Sequence, residues 1–369
     1  MISTRSLNFF VSTLPMAGWL VLIGIIMILL TGTAEARVVG GCSNCHTMHN
    51  SQDGSLVVDT SPTEALLRLD CVGCHTGSNS GSNTTPYVHN TLNLIDGGAE
   101  YGPSGIESDT LAGGTFKYVV SNDNRGHNVV GITTPDAILF VPPGYENGGL
   151  PAADGTTPGI NGSWNNRQIT CAGVYGCHGS HGVDSDVIAI RGGHHQGIGG
   201  AISPISDTGP AAGYRMLVGI AGYEDSDWEY RPTSTAHNQY KGIDSPGQII
   251  DTSTISYLCA ECHGTFHQNV GISSPWLRHP IDYALSNTAL DSEYRGYGGV
   301  AHNYLPATPL AAADISTVIS TINFTSNDSI VACLSCHRAH GSPYYKAMRW
   351  GYAESNDGGL CSNCHTSKD

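Results

Sequence analysis

Six cysteine pairs constrain this chain more than any other feature of its sequence. They account for all 12 cysteines of the 369 residues, and a histidine directly follows the second cysteine of every pair. Zinc sites and disulfides do not require a histidine at that position. A haem c site does, because two thiols bond to the vinyl groups while the adjacent imidazole binds the iron. The sequence therefore predicts six attached haems, on Cys42/Cys45, Cys71/Cys74, Cys171/Cys177, Cys259/Cys262, Cys333/Cys336 and Cys361/Cys364.

Histidines are numerous enough to give each iron two imidazoles. Of the 17, the predicted proximal ligands are the six that follow the cysteine pairs: His46, His75, His178, His263, His337 and His365. The best candidates for the distal ligands are His49, His127, His195, His237, His279 and His340, with His89, His181, His194, His267 and His302 as alternates. An iron held by two imidazoles is closed to substrate and changes oxidation state with little rearrangement, which favours electron transfer over catalysis.

The third pair is irregular, because five residues separate Cys171 from Cys177 where the other pairs have two. Three interpretations are open. The loop bulges and both sulfurs reach the haem, Cys177 alone attaches it, or the two cysteines form a disulfide. The adjacency of Cys177 and His178 favours haem attachment.

A second histidine follows three of the motifs at a fixed spacing. His340 lies three residues after His337, too close to reach the opposite face of the same haem easily. We therefore expect it to serve a neighbouring haem, the one on Cys361 and Cys364 being the first candidate. His49 stands in the same relation to His46, and His181 to His178.

Composition favours a protein that is organised by its cofactors. With 47 Gly, 18 Pro and only 8% aromatic residues, the chain is poorly suited to a dense core of helices and strands, and buried porphyrins would supply apolar surface instead. The predicted fold is a multihaem cytochrome c of mostly irregular loops, with short helices at the haem motifs and few short strands, wrapped round a chain of haems. Local patterns predict helices at 62–74, 253–261 and from about 328, strand-like runs at 115–120, 137–141 and 214–220, and a solvated acidic turn at 223–229.

The N-terminus predicts export. Residues 1–36 have the pattern of a secretory signal cleaved after Ala36, with a retained membrane anchor as the alternative. The remainder, 37–369, is expected to form one hexahaem domain with a two-haem unit at 37–80, a looped middle with two haems at 81–325 and a two-haem unit at 326–369. No membrane span is expected in it. A net charge of −15 argues against nucleic acid as a partner.

The motifs resemble those of secreted multihaem c-type cytochromes of metal-reducing bacteria, through the Cys-x-x-Cys-His-x-x-His stretches at 42–49 and 333–340. The six-site layout is similar to that of outer-surface hexahaem cytochromes that polymerise into filaments. The resemblance implies a continuous haem stack, extracellular electron transfer with other cytochromes or copies of itself as partners, and a distal histidine donated across the subunit boundary. His49 is the candidate for either an internal or a crossing ligand. A periplasmic shuttle or redox-complex subunit, and a multihaem oxyanion reductase, are the alternative functions.

Overall fold

The structure is a computed structural model. It describes residues 40–49, 51–53, 55–56, 64–82, 84–90, 110–139, 141–145, 150–155, 164, 167–196, 200–202, 209–246, 250–267, 281–351 and 359–366. All of them belong to one unit, Ala36–Asp369. The predicted signal at 1–36 and the candidate ligand His279 lie outside the described residues. So does the side chain of His267.

Helices in the described ranges are short and coincide with haem motifs in three places. They are α1 (Cys71–Cys74), α2 (Lys117–Ser121), α3 (Asp186–Ala189), α4 (Ile255–His267) and α5 (Cys333–Cys336). Single 3-10 turns occur at Cys42–Asn44, Glu64–Leu66, Asp123–Arg125, Gly193–His195, Tyr214–Met216, Leu285–Asn287, Glu293–Gly296, Gly299–Ala301, Tyr345–Ala347 and Gly359–Asn363. Within this same part of the chain, no helix is both long and apolar enough to span a membrane.

Strands are two or three residues long and form small sheets. Antiparallel pairs join β1 (Ser51–Gln52) to β2 (Ser55–Leu56) and β8 (Tyr283–Ala284) to β9 (Ile330–Val331), and β3 (Thr76–Gly77) runs parallel to β4 (His89–Asn90). A three-stranded antiparallel sheet has the order β5 (Gly200–Ile202), β6 (Gly222–Glu224) and β7 (Gln239–Tyr240). The predicted fold class, mostly loops with short helices at the motifs and few strands, is confirmed.

Apolar packing is divided among several small clusters, each with a motif cysteine at its edge. The largest surrounds Tyr214, Ile220 and Ile330 and contacts Cys177. The others centre on Tyr297 and Phe324 beside Cys364, on Phe116 and Val119 beside Cys171, and on Tyr145 and Trp164 beside Cys262. Each cluster therefore lies against a predicted haem attachment point, as expected when cofactors complete the core.

The helix predicted from Pro62 to about Cys74 is wrong in its first half, as far as that half is described. Ala65 and Leu66 have positive φ angles of 63° and 53°, so the chain cannot continue as a right-handed helix there. The bend serves the first motif, because the backbone N–H of Thr47 donates to the Leu66 carbonyl at 2.8 Å. Helix α1 begins only at Cys71, where Asp70 accepts a hydrogen bond from the Gly73 N–H at 2.6 Å.

The helix predicted from about Asp328 is wrong in a similar way. Its first residues form strand β9, which pairs with β8, and only Cys333–Cys336 is helical. The hydroxyl of Ser335 accepts a hydrogen bond from the Ala332 N–H at 3.0 Å, which fixes the start of the helix after the strand. The helix predicted at 253–261 is confirmed and extends to His267.

None of the predicted strand-like runs is a strand in the described residues. Residues 117–121 form helix α2, which buries Tyr118 and Val119, and residues 137–139 are irregular. Tyr214–Met216 is a 3-10 turn. Burial against neighbouring loops overrides the β propensity of these aromatic and branched residues.

The acidic segment 223–229 is not a solvated turn. It begins in β6, and both Glu224 and Glu229 are buried, at 1% and 4% exposed. The Glu229 carboxylate accepts a hydrogen bond from the Asn238 N–H at 3.0 Å, and this contact draws the segment inward.

Candidate haem-binding sites

The regular motifs share one backbone hydrogen bond. In four of them the N–H of the histidine donates to the carbonyl of the first cysteine, at distances of 2.8 Å for His46, 2.9 Å for His75, 3.1 Å for His337 and 2.8 Å for His365. This single turn holds two thiols and an imidazole on one short piece of backbone. In the remaining regular motif, Cys259, Cys262 and His263 lie in helix α4, which kinks at His263.

The irregular third site has the same closing hydrogen bond. The N–H of His178 donates to the Cys171 carbonyl at 3.1 Å, although three more residues separate the two cysteines. The extra residues form a side loop, in which Gly173 has a φ of 83° and the Gly176 N–H donates to the Gly173 carbonyl at 3.0 Å. A Cβ on Gly176 would lie 2.5 Å from the Ala172 nitrogen, so this tight return requires glycine. The geometry favours the interpretation in which the loop bulges.

An aromatic contact holds the tip of that side loop. The Tyr175 ring packs edge-on against Trp164 with a centroid distance of 5.3 Å, and the Arg167 guanidinium lies 5.0 Å from its centroid. The Thr170 N–H donates to the Tyr175 carbonyl at 3.0 Å. The tip of the insertion is therefore held by contacts with Trp164, Arg167 and Thr170.

Every predicted proximal imidazole has its Nδ1 next to a hydrogen-bond acceptor. For five of them the acceptor is a backbone carbonyl: Ala65 for His46 (3.0 Å), Pro86 for His75 (2.7 Å), Arg215 for His178 (3.0 Å), Pro143 for His263 (2.6 Å) and Lys346 for His337 (2.9 Å). For His365 it is the carboxylate of Glu293 at 3.4 Å. An Nδ1–H held in this way leaves the lone pair of Nε2 for a metal and fixes the ring orientation.

The thiols of successive motifs lie close together in sequence order. Electrostatic interactions link Cys74 to Cys45, Cys71 to Cys171, Cys262 to Cys177, Cys259 to Cys333 and Cys336 to both Cys361 and Cys364. The six sites therefore form a row, each with its neighbours in the sequence on either side.

Several of these thiols are protonated at neutral pH. Burial raises the pKa of Cys177 to about 11 and that of Cys336 and Cys364 to about 12 each. Two cysteines and a carboxylate do meet, at Cys71, Cys171 and Asp186, whose ligand atoms lie within 4.8 Å of one another. These two thiols belong to successive motifs, so attached haems would occupy them.

Four predicted proximal imidazoles face a second imidazole. The ring centroids are 6.4 Å apart for His46 and His195, 6.2 Å for His75 and His194, 6.4 Å for His178 and His340, and 6.2 Å for His263 and His127. A metal lies about 2 Å from a coordinating imidazole nitrogen, so two imidazoles on opposite sides of one ion have centroids about 6 Å apart. The donors present therefore fit an iron between the rings of each pair.

The His340 pairing differs from the sequence expectation. Its ring lies opposite His178 of the third motif, and the expected neighbour was the sixth. The backbone N–H of His340 donates to the Gly113 carbonyl at 2.7 Å, and a Cβ on Gly113 would lie 2.6 Å from the imidazole ring. Burial, with smaller effects of His178 and His127, lowers the pKa of His340 to about 3, so the ring is neutral as a metal ligand must be.

His194 and His195 face different proximal histidines, His75 and His46 respectively. The two rings are adjacent in a 3-10 turn that follows Gly192, whose φ is 84°. A Cβ on Gly193 would lie 2.5 Å from the Ala211 Cβ, so this turn is packed tightly. Sequence analysis favoured His195 as a distal ligand and kept His194 only as an alternate. In the structure, each of them faces one proximal imidazole at a similar distance.

Other candidate distal histidines have different surroundings. The His181 Nδ1 lies 2.6 Å from the Glu261 carboxylate and its Nε2 lies 3.2 Å from the Cys177 carbonyl, so protein groups engage both nitrogens. His237 is fully buried, stacks on Tyr304 at 3.7 Å and lies near carbonyls at both nitrogens. Neither ring faces a predicted proximal imidazole among the described residues, so their role as distal ligands stays a prediction.

The remaining candidates are distributed over the surface and the loops. His302 packs edge-on against Phe324, with its Nδ1 at 3.2 Å from the Tyr297 carbonyl, and His89 lies in β4 with its Nδ1 at 3.3 Å from the Thr76 hydroxyl. His49 is exposed. Among the described residues, no imidazole is paired with His337 in the manner of the other four.

Comparisons with known proteins agree with these motifs. Residues 327–369 match the family model "Doubled CXXCH motif". The chain is 25% identical over 376 residues to the C-type cytochrome OmcS of Geobacter sulfurreducens, a match that covers 85% of this chain and 79% of that protein. Two solved structures from that organism cover 90% of this chain and 100% of theirs: an Outer Membrane Cytochrome S filament (19% identity, TM-score 0.43) and OmcS nanowires (18% identity, TM-score 0.44).

The hydrogen-bonded motif turns, the anchored imidazoles and these sequence matches support a multihaem c-type cytochrome. Among known proteins it resembles OmcS. The motifs and this similarity support haem c as its cofactor.

Proposed function

We propose that the protein conducts electrons outside the cytoplasm along a row of six bis-histidine haems c, and that copies of it join end to end. The four facing imidazole pairs carry the proposal, because their 6.2–6.4 Å separations suit one iron each and leave no open coordination position for a substrate. The sequential order of the thiols supports electron transfer from site to site.

The proposed ligands for these four haems follow from the facing pairs. His195, His194, His340 and His127 are the distal ligands opposite His46, His75, His178 and His263 respectively. The His127 Nδ1 lies 2.6 Å from the Ala339 carbonyl, so its orientation depends on the fifth motif although it faces the fourth. His279 is retained as the sequence candidate for one of the other two haems.

End-to-end assembly would complete the fifth haem. His337 and His49 are both exposed, and neither is paired with another imidazole in the described part of the chain. We propose that His49 of one copy binds the iron held by His337 of the next.

Intact mass and magnetic resonance test the haem chain. The secreted protein should carry the mass of six haems and an electron paramagnetic resonance spectrum of low-spin iron only. Five haems would contradict attachment at Cys171 and Cys177. A high-spin signal that persists in pure assembled protein would favour a reductase and refute the closed coordination.

Electron microscopy of variants tests the assembly. His49→Ala should abolish filaments and leave one haem in six high-spin, whereas Met48→Ala, at a neighbouring side chain that is 91% exposed, should leave both unchanged. Filaments that persist in His49→Ala would refute the crossing ligand. Wild-type monomers with low-spin haems only would instead indicate a shuttle.

A further inference from the structure

The sixth motif differs from the other five in the group that faces its proximal imidazole. The Nδ1 of His365 lies 3.4 Å from the Glu293 carboxylate, whereas each of the other five proximal rings faces a neutral backbone carbonyl. The two side chains are only 23% and 21% exposed, so water screens their interaction less than at an open surface.

Several contacts hold Glu293 in this position. It opens the 3-10 turn Glu293–Gly296, where the Ser292 side chain accepts from the Tyr294 N–H. The hydroxyl of Thr366, next to His365, donates to the Glu293 carbonyl at 2.9 Å. A Cβ on Gly296 would lie 2.6 Å from Thr366, so the turn packs directly against the motif.

The imidazole itself is oriented by an aromatic neighbour. The Tyr294 ring packs edge-on to His365 with a centroid distance of 5.0 Å and an interplanar angle of 84°. The carboxylate and the aromatic ring come from consecutive residues of one turn. This turn therefore fixes both the rotation of the imidazole and the charge at its Nδ1.

A carboxylate that accepts from Nδ1–H increases the basicity of the imidazole and makes it a stronger donor to iron. A stronger donor with an adjacent negative charge stabilises Fe(III) relative to Fe(II) and lowers the reduction potential. A carbonyl acceptor has no net charge, so its effect is smaller.

We propose that Glu293 is a positioning residue that tunes the haem on Cys361 and Cys364, and makes it the most reducing haem of the row. The inference rests on the proposed haem at this site. Because the sixth motif is the last in the row, the proposal places the lowest reduction potential at one end of the electron path.

Spectroelectrochemical titration of the secreted holoprotein tests this. Glu293→Gln keeps the size of the side chain and removes its charge. Of the six one-electron components, the variant should shift the most reducing one. The Fe(III)/Fe(II) equilibrium of that haem should move about tenfold toward Fe(II), which raises its reduction potential by about 59 mV. Asp291→Asn removes the same charge from an exposed position two residues away and should shift no component by more than about twofold.

The outcomes separate this inference from the proposed function. If the wild-type protein carries no haem on Cys361 and Cys364, the proposed haem at this site is refuted. Two outcomes would refute only the role of Glu293. In the first, Glu293→Gln carries six haems and its reduction potentials are those of the wild type. In the second, Glu293→Gln and Asp291→Asn shift the potentials equally.

A second measurement does not depend on the variant folding. It is the electron paramagnetic resonance spectrum of the wild-type protein. Because the axial donor is stronger at the sixth site, the maximum g value of one low-spin haem should be lower than that of the other five. Six indistinguishable low-spin signals would refute the proposal.

Discussion

Glu229 should make the stability of the protein depend on pH near neutrality. The side chain is only 4% exposed, and burial raises its pKa from an ordinary 4.5 to about 7 despite the favourable charges of Arg349 and Arg215. Asp225 raises it further. A raised carboxyl pKa means that the folded state retains a proton that the unfolded chain releases, so folding is favoured at low pH.

The size of the effect follows from the two pKa values. The stabilisation is fully present below pH 4.5 and is lost as pH rises through about 7, where the buried carboxyl must ionise. Roughly 3 kcal/mol of unfolding free energy should disappear over this range. Glu229→Gln has no proton to lose, so its stability should lack this decrease.

Thermal unfolding of the holoprotein measures the difference. Between about pH 5 and about pH 9 the melting temperature of Glu229→Gln should rise relative to the wild type by roughly 5 °C. Asp123→Asn, at an exposed carboxylate, should follow the wild-type curve. Parallel curves for the wild type and Glu229→Gln would refute the assignment of the buried proton.

Three further predictions concern the third haem site. His340→Ala should free one coordination position opposite His178, so the reduced protein should bind carbon monoxide at about one haem in six; optical titration measures this, and no binding would contradict the pairing. Gly176→Ala should strain the side loop, because its Cβ would lie 2.5 Å from the Ala172 nitrogen, and intact mass should show partial loss of one haem. Cys171→Ala should retain that haem through one thioether, which a red-shifted pyridine haemochrome band would report; an unshifted band would indicate that Cys177 attaches the haem alone.

Short-range chemistry could be predicted from the sequence to a large extent. The proximity of Cys42 and Cys45 to His46 is set by their short separation along the chain, whereas the closing turn of the third motif also depends on the side loop between Cys171 and Cys177. The helix at 255–267 was predictable because its first turn has its own cap, in which the Thr254 hydroxyl accepts from the Tyr257 N–H at 3.2 Å. Such features depend on residues within one or two turns of each other.

The secondary structure between motifs could not be predicted in this way. Residues 115–120 have the composition of a strand, yet 117–121 form a helix, because Phe116 and Val119 are buried in a small cluster with Val129. The start of α5 depends on the pairing of Ile330 with Ala284, 46 positions earlier in the sequence. Neither contact leaves a local sequence signal.

The sequence by itself determined which cofactor to expect. A haem c site needs two thiols and an imidazole on one short segment, and a five-residue motif is enough to recognise it. Only the tertiary structure decided which imidazole faces which. The ring of His340 lies opposite His178, and His127 is held by the carbonyl of Ala339, 212 residues away. A distal ligand needs only to arrive from the other side of the iron, so any loop that folds back can supply it, and its position along the chain carries no information about the pairing.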